Sequence, residues 1–374
     1  MMNPFLINNY INPSYFCDRD QETEVLIQNI NNQSNTVFFA QRRVGKTALI
    51  QHVFHQLNTK KEHKTIYLDI YSTQNLKAFT DQLANSIYKA FPEKKGIASR
   101  FWESIKLLRP VISINEITGG PEMSLDISHP SQIERTIPQI LQFLEKQNTP
   151  VVIAIDEFQQ ILEYPEKNVE ALLRTSIQQL QNVHFIFLGS NRKMMFEIFN
   201  NAKRPFYAGA KNLYLDKIPK KEYTAFIQTH FNENKRNISD KSIKLVLELT
   251  NRHTYYTQHL CHEIFAFNKK SNTEKTIYQA LNKILSENEA MYYQYRNLLT
   301  TAQWELLTVL AKEEQTAKPY NQKFIKKYNL GAPTSIKRTL NALLEKELVF
   351  YQSKKEEAYY EVQDKFLMRW LQYK

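Results

Sequence analysis

"TVFFAQRRVGKTALIQHVF", residues 36–54, decides the fold. The five residues TVFFA are apolar and suit a buried strand. A polar loop follows, and from Lys46 the apolar residues recur at helical spacing. Ala40, Gln41, Arg42, Arg43, Val44, Gly45, Lys46 and Thr47 fit the phosphate-loop pattern G-x-x-x-x-G-K-[ST] at every fixed position but the first. In that pattern, backbone N–H groups of the loop and of the first helical turn, here through Ala48, converge on phosphate oxygens. Gly45 lets the backbone approach closely, Lys46 reaches the β- and γ-phosphates, and the Thr47 hydroxyl helps hold Mg²⁺. A left-handed Ala40 would cost roughly 1–2 kcal/mol. That is small beside the about 8 kcal/mol of micromolar binding, and it vanishes if Ala40 keeps strand dihedrals.

Outward from this segment, short apolar runs alternate with helical stretches. The further strands are KTIYLDI (64–70), PVVIAID (150–156), HFIFLGS (184–190) and NLYLD (212–216). Such alternation predicts an α/β fold, a parallel sheet of about five strands covered on both faces. RPVISINEITGGPEMSLDIS (109–128) reads as a hairpin inserted between the second and third of these strands, turning at Gly119 and Gly120. From about residue 219 the pattern is helical. In the last 80 residues three amphipathic helices precede a hairpin around SKKEE, the order of a winged helix. The expected domains are a core at 1–218, a helical lid at 219–290 and a winged helix at 291–374.

VVIAIDEFQQI places Asp156 and Glu157 at the carboxyl end of a buried strand. Asp156 suits a metal ion held with Thr47, and Glu157 suits the base that polarises an attacking water. One strand later, FLGSNR brings Ser190 and Asn191 to the same edge, where either orients that water or senses a γ-phosphate. HLCHE (259–263) fits no common order of zinc-protease ligands and lies on a helix with an apolar face.

The bulk properties agree with a folded chain. Of its 374 residues 42% are hydrophobic and 23% charged, a globular balance. The formal charge of +11 comes from Lys and Arg spread along the sequence, which permits a polyanionic partner without specifying one. Cys17 and Cys261 stand far apart, so no disulfide framework is expected. The start lacks a basic stretch followed by an apolar core, and no apolar run is long enough to span a bilayer. The expectation is a cytoplasmic protein with no membrane partner.

These motifs resemble the archaeal-type P-loop ATPases, an AAA-like family related to the signal-transduction ATPases with numerous domains. The segments that carry the resemblance are YFCDRDQE (15–22), AQRRVGKTALI, the insert RPVISINEITGGP, VVIAIDEFQ, LLRTSIQ (172–178), FIFLGSNRKMMFEIF, RPFYAGA (204–210) and YYTQHLC (255–261), in family order over about residues 1–265. The resemblance implies ATP and Mg²⁺ as cofactors. It implies adenine contacts from Tyr15, Phe16 and Arg19, and a lid contact from His253 in NRHTYYTQ, where Arg252 and Thr254 replace the family's glycine and proline. It also makes Arg174 and Arg204 candidates to stabilise transition-state charge, in cis or from a neighbour in a homo-oligomer.

Slow or regulated ATP hydrolysis driving a molecular switch is the leading expectation. The alternative is a winged-helix DNA-binding regulator whose nucleotide site is structural or nearly inert. The third helix of the last unit turns Ile336, Leu340, Leu343 and Leu344 inward. That leaves Thr334, Ser335, Lys337, Arg338 and Asn341 outward, where Lys337 and Arg338 suit DNA phosphates or guanine edges. From residue 291 onward 14 Lys and Arg stand against 9 Asp and Glu, so that unit is only modestly basic. A self-assembling defence or signalling ATPase is a third class, for which the sequence shows no effector domain.

Overall fold

The computed structural model describes residues 2–7, 10–91, 109–114, 121–126, 130–353 and 358–374. Two compact units emerge, Asn9–Asp216 and a second that joins Lys217–Lys374 to Met1–Asn8.

The first unit is built on five parallel strands: β1 (Thr36–Ala40), β2 (Lys64–Asp69), β5 (Val151–Asp156), β6 (Val183–Phe187) and β7 (Lys211–Leu215). Their order across the sheet is β2-β5-β6-β1-β7. β1, β5 and β6 are buried at every residue, because helices cover both faces. Alternate residues of each strand feed opposite cores. Phe38, Ala40, Val152, Ala154 and Ile186 pack with Leu26 and Ile30 of helix Asp20–Asn31 and with Leu49, Ile50 and Val53 of helix Lys46–Lys60. Val37, Phe39, Ile153, Ile155, Phe185 and Phe187 face the other way, against Leu83, Ile140, Leu173 and Met195. In a parallel sheet all carboxyl ends share one edge, so the loops after β1, β5 and β6 open together there.

Between β2 and β5 lie the antiparallel β3 (Arg109–Ile114) and β4 (Pro121–Asp126), the expected hairpin; its Gly119–Gly120 turn falls outside the described residues. Helix Pro130–Glu145 follows and is absent from the sequence reading. Its internal Pro138 interrupts the pattern as a helix breaker would, yet the helix continues through it.

In the second unit, helices Lys220–Glu233, Asp240–Leu249, Thr254–Ala266 and Glu274–Leu298 precede Thr301–Glu313, Gln322–Tyr328 and Pro333–Glu345. A short parallel pair, β8 (Asn237–Ile238) and β9 (Ser271–Asn272), links the first set. β10 (Val349–Ser353) and β11 (Ala358–Val362) then form an antiparallel hairpin, extended by a bridge from Thr316 to Tyr360. Residues 354–357, most of the expected SKKEE turn, fall outside the described set.

A final helix, Lys365–Tyr373, is also missing from the sequence reading. Asp364 caps it, accepting from the N–H groups of Phe366 and Leu367 at 2.8 and 3.0 Å. From this helix Arg369 reaches the C-terminus of helix Asp240–Leu249. It donates to the Leu249 and Glu248 carbonyls at 2.8 and 2.7 Å and to Asn251 Oδ1 at 3.1 Å. A guanidinium there satisfies carbonyls that the helix end leaves open. The chain start belongs to this unit because Phe5 is buried against Phe226, His230, Phe231 and Phe265. Among the described residues no helix is long and apolar enough to cross a membrane.

Candidate functional site

The loop after β1 concentrates backbone strain where a glycine was not expected to be needed. Ala40 ends β1 in register with Leu215, and it is not among the residues with positive φ. The missing first glycine therefore carries no left-handed penalty. Arg43 carries it instead, at φ 61°, while Gly45 adopts φ 93° at the helix start. A left-handed Arg costs roughly 1–2 kcal/mol, a kind of strain that clusters at functional sites. No side chain caps the helix that begins at Lys46, and its first turn holds no acidic residue.

Lys46 is only 7% exposed. Its Nζ donates to the Gln41 carbonyl at 3.4 Å, and among the described residues it makes no ion pair. Burial lowers its pKa, while Asp156 and Glu157 act in the opposite direction. A buried ammonium with one long hydrogen bond is suited to pairing with an anion.

Asp156 ends β5, and its carboxylate is shared by three groups. Thr47 Oγ1 donates to Oδ2 at 3.1 Å, Tyr67 Oη donates to the same oxygen at 2.5 Å, and the Glu157 N–H donates to Oδ1 at 2.9 Å. Sequence reasoning missed Tyr67. It sits on β2 opposite Ala154, two residues from Asp156 along the neighbouring strand, and the small alanine leaves its ring room. Burial, then the Asp156 charge, pushes the Tyr67 phenol well above its usual range, so it stays a donor. Asp69 lies directly opposite Asp156, and its pKa is raised first by burial, with the Asp156 and Glu157 charges adding to it.

Glu157 turns sharply away from β5 with φ 55°. The buried Phe158 pins that turn, its N–H donating to the Leu188 carbonyl at 2.8 Å and its ring 4.6 Å from Phe187. Glu157 Oε2 accepts from Ser190 Oγ at 2.8 Å, the Ser190 N–H at 3.2 Å and Gln159 Nε2 at 2.5 Å. Gln159 was not anticipated either. Asn191 caps helix Arg192–Asn200, its Oδ1 accepting from Met194 N–H at 3.1 Å.

The structure thus brings together Lys46, Thr47, Asp156, Glu157 and Ser190, on a strand order that places β6 between β1 and β5. Phe16 stacks on His52 at 4.4 Å, and Tyr10 Oη hydrogen-bonds His52 Nδ1 at 3.1 Å. Tyr15 ends the short helix Pro13–Tyr15 just before. Arg19 is buried, ion-paired with Glu22 at 2.7 Å and bonded to the Asp216 carbonyl at 2.7 Å, so its guanidinium ties helix Asp20–Asn31 to the end of β7. Arg174 packs beside Gly209, and Arg204 pairs with Glu170 at 2.7 Å. Arg42 and Arg43 are exposed. His253 belongs to the second unit, where it precedes helix Thr254–Ala266 with its ring 4.8 Å from Tyr256.

A family profile described as an ATPase domain predominantly from Archaea matches residues 16–260, well over half of the chain. The chain belongs to this archaeal-type ATPase family. A second profile, a probable winged helix domain, matches residues 290–373. No curated protein matches the sequence. Among solved structures, a Walker-type ATPase of Pyrococcus abyssi is similar at 15% identity and TM-score 0.67, covering 99% of each chain. The Aeropyrum pernix ORC2 protein, in its ADPNP–ADP complexes, is similar at 16% identity and TM-score 0.57, covering 99% of this chain and 96% of that one. The Aeropyrum pernix ORC1 protein in complex with DNA follows at 13% identity and TM-score 0.52, covering 96% and 94%. At these identities the likeness shows the fold, a P-loop ATPase core followed by a winged helix.

Proposed function

We propose that the chain binds ATP with Mg²⁺ at the loop after β1 and hydrolyses it slowly, as a nucleotide-controlled molecular switch. One observation carries this reading: among the described residues, Lys46 is a buried cation without an ion-pair partner, at an uncapped helix start. Loop N–H groups from residues 41–48 would hold the phosphates, with Lys46 on the β- and γ-phosphates. Thr47 and Asp156 would hold the metal, whose positive charge neutralises developing charge on the transferring phosphoryl group. Tyr67 holds Asp156 in place for that task. Glu157 orients water and accepts its proton, and Ser190 keeps the carboxylate aimed.

The test is calorimetry with Mg²⁺–ATP. Wild type should bind, and Lys46→Ala should bind about 100-fold more weakly, near 2.7 kcal/mol. Equal heats for the two proteins, or none for folded wild type, would remove the reading.

The winged helix supports a DNA partner for the same switch. Thr334, Ser335, Lys337, Arg338 and Asn341 are exposed on helix Pro333–Glu345, while Ile336, Leu340 and Leu343 are buried beneath. The double variant Lys337→Ala, Arg338→Ala should weaken duplex DNA binding. It should also flatten the log affinity against log salt slope by about two, one for each phosphate left unneutralised. Unchanged binding and slope would assign this face to a protein partner instead.

A further inference from the structure

Glu157 is held by one of its two carboxylate oxygens. Oε2 takes all three donors, Gln159 Nε2, Ser190 Oγ and the Ser190 N–H, whereas among the described residues Oε1 accepts none. Ser190 comes from the adjacent strand end, but Gln159 lies only two residues beyond Glu157, on the short helix Phe158–Glu163. Its side chain is 8% exposed, so the amide is a buried group and not a surface contact.

The orientation of that amide is fixed by charge. A carboxylate oxygen at 2.5 Å from Gln159 requires Nε2, a donor, because the amide oxygen would be repelled. Gln159 Oε1 is then turned into the interior, where it is buried with no hydrogen-bond partner. Folding alone would not select a buried glutamine half satisfied in this way, since an apolar residue of similar volume leaves nothing unpaired. The surroundings are shaped to admit it. A Cβ at residue 189 would sit 2.2 Å from Gln159 Oε1 and 2.6 Å from Met195 Cγ, so any side chain there forces the Gln159 amide and Met195 to shift.

We propose that Gln159 is a positioning residue for the hydrolytic step: it holds Glu157 by Oε2 so that Oε1 remains as the single acceptor for the attacking water. This rests on the ATPase reading above. Gln159 touches neither water nor nucleotide in this role and acts only through the carboxylate. Gly189 belongs to the same device, because it keeps the space in which the amide lies.

The experiment uses the full-length chain, comparing wild type, Gln159→Met, Gln159→Asn and Gly189→Ala. Methionine fills similar volume without a donor, and asparagine keeps the amide but falls one methylene short. Gly189→Ala displaces the amide without deleting it. Single-turnover hydrolysis at saturating Mg²⁺–ATP should fall about 10-fold or more in each, while ATP affinity by calorimetry stays within about twofold, since the interaction serves the transition state alone. Wild-type rates in Gln159→Met and Gln159→Asn would overturn the proposal. So would parallel losses of rate and ATP affinity, or unfolding of all three variants, which would make the residue structural. Failure of the underlying reading looks different: wild type itself would bind nucleotide yet turn over no faster than Glu157→Gln.

Discussion

Glu157→Gln should retain ATP at close to wild-type affinity while turning it over at least about 100-fold more slowly, the low end of what a positioned general base contributes. The geometry makes this variant unusually clean. Among the described residues, every side-chain hydrogen bond of Glu157 is one it accepts, from Ser190 Oγ, the Ser190 N–H and Gln159 Nε2. A glutamine carbonyl oxygen can accept from the same donors, so the turn at φ 55° and the packing of Phe158 need not change. What disappears is the ability to take a proton. In the proposed reading Lys46 and the loop hold the phosphates, and the substitution does not touch them. Single-turnover hydrolysis with labelled ATP, beside calorimetry, checks both halves. Turnover within tenfold of wild type would move the base elsewhere, whereas loss of binding would show that Glu157 supports the loop. Glu157→Ala would be a poorer probe, because it strands three donors at once, two of them on the half-buried Ser190.

The second large effect concerns stability in the second unit. Glu361 is fully buried, with Lys365 Nζ 3.2 Å and Lys217 Nζ 3.8 Å from Oε2. Lys365 is 1% exposed and also donates to the Val362 carbonyl at 2.7 Å. Lys365→Met should destabilise the fold by about 3–5 kcal/mol, because it takes the nearer cation away from a buried carboxylate. Adding Glu361→Met should recover most of that loss, since a well-packed apolar pair avoids desolvating two charges. Equilibrium urea unfolding of the three proteins measures this. A loss under about 1 kcal/mol in the single variant would mean that water or Lys217 already satisfies Glu361.

Burial also lowers the Lys365 ammonium to about 8 from 10.5. The folded pKa is below the unfolded one, so between about 8 and 10.5 the unfolded chain binds more protons. This group's contribution to stability is flat below about pH 8 and then rises with pH. The stability of wild type relative to Lys365→Met should rise across that window.

Much of the centre was legible because its signals are local. Lys46 and Thr47 follow a loop of fixed spacing, and Asp156 and Glu157 follow an apolar run that ends in two acids. Ser190 was reachable by the same logic one strand later. Tyr67, Gln159 and Gly189 were not. Tyr67 matters only once β2 pairs with β5 in a register that sets it opposite Ala154. Gln159 and Gly189 matter only once Glu157 adopts a left-handed turn beside the end of β6. Ala40 is the reverse case, a departure from pattern that the structure makes harmless by moving positive φ to Arg43.

By itself, then, the sequence determined the five-strand parallel sheet, the phosphate-type loop, the acidic strand end and the order of the winged helix. Each is written in hydrophobic period and spacing over short local stretches. The tertiary structure alone decided the strand order β2-β5-β6-β1-β7, the hold of Tyr67 on Asp156, the three-donor grip on Glu157 and the joining of the first eight residues to the second unit. Those depend on which distant segments meet. Side-chain packing and hydrogen-bond satisfaction across the folded chain settle that, and no local pattern encodes it.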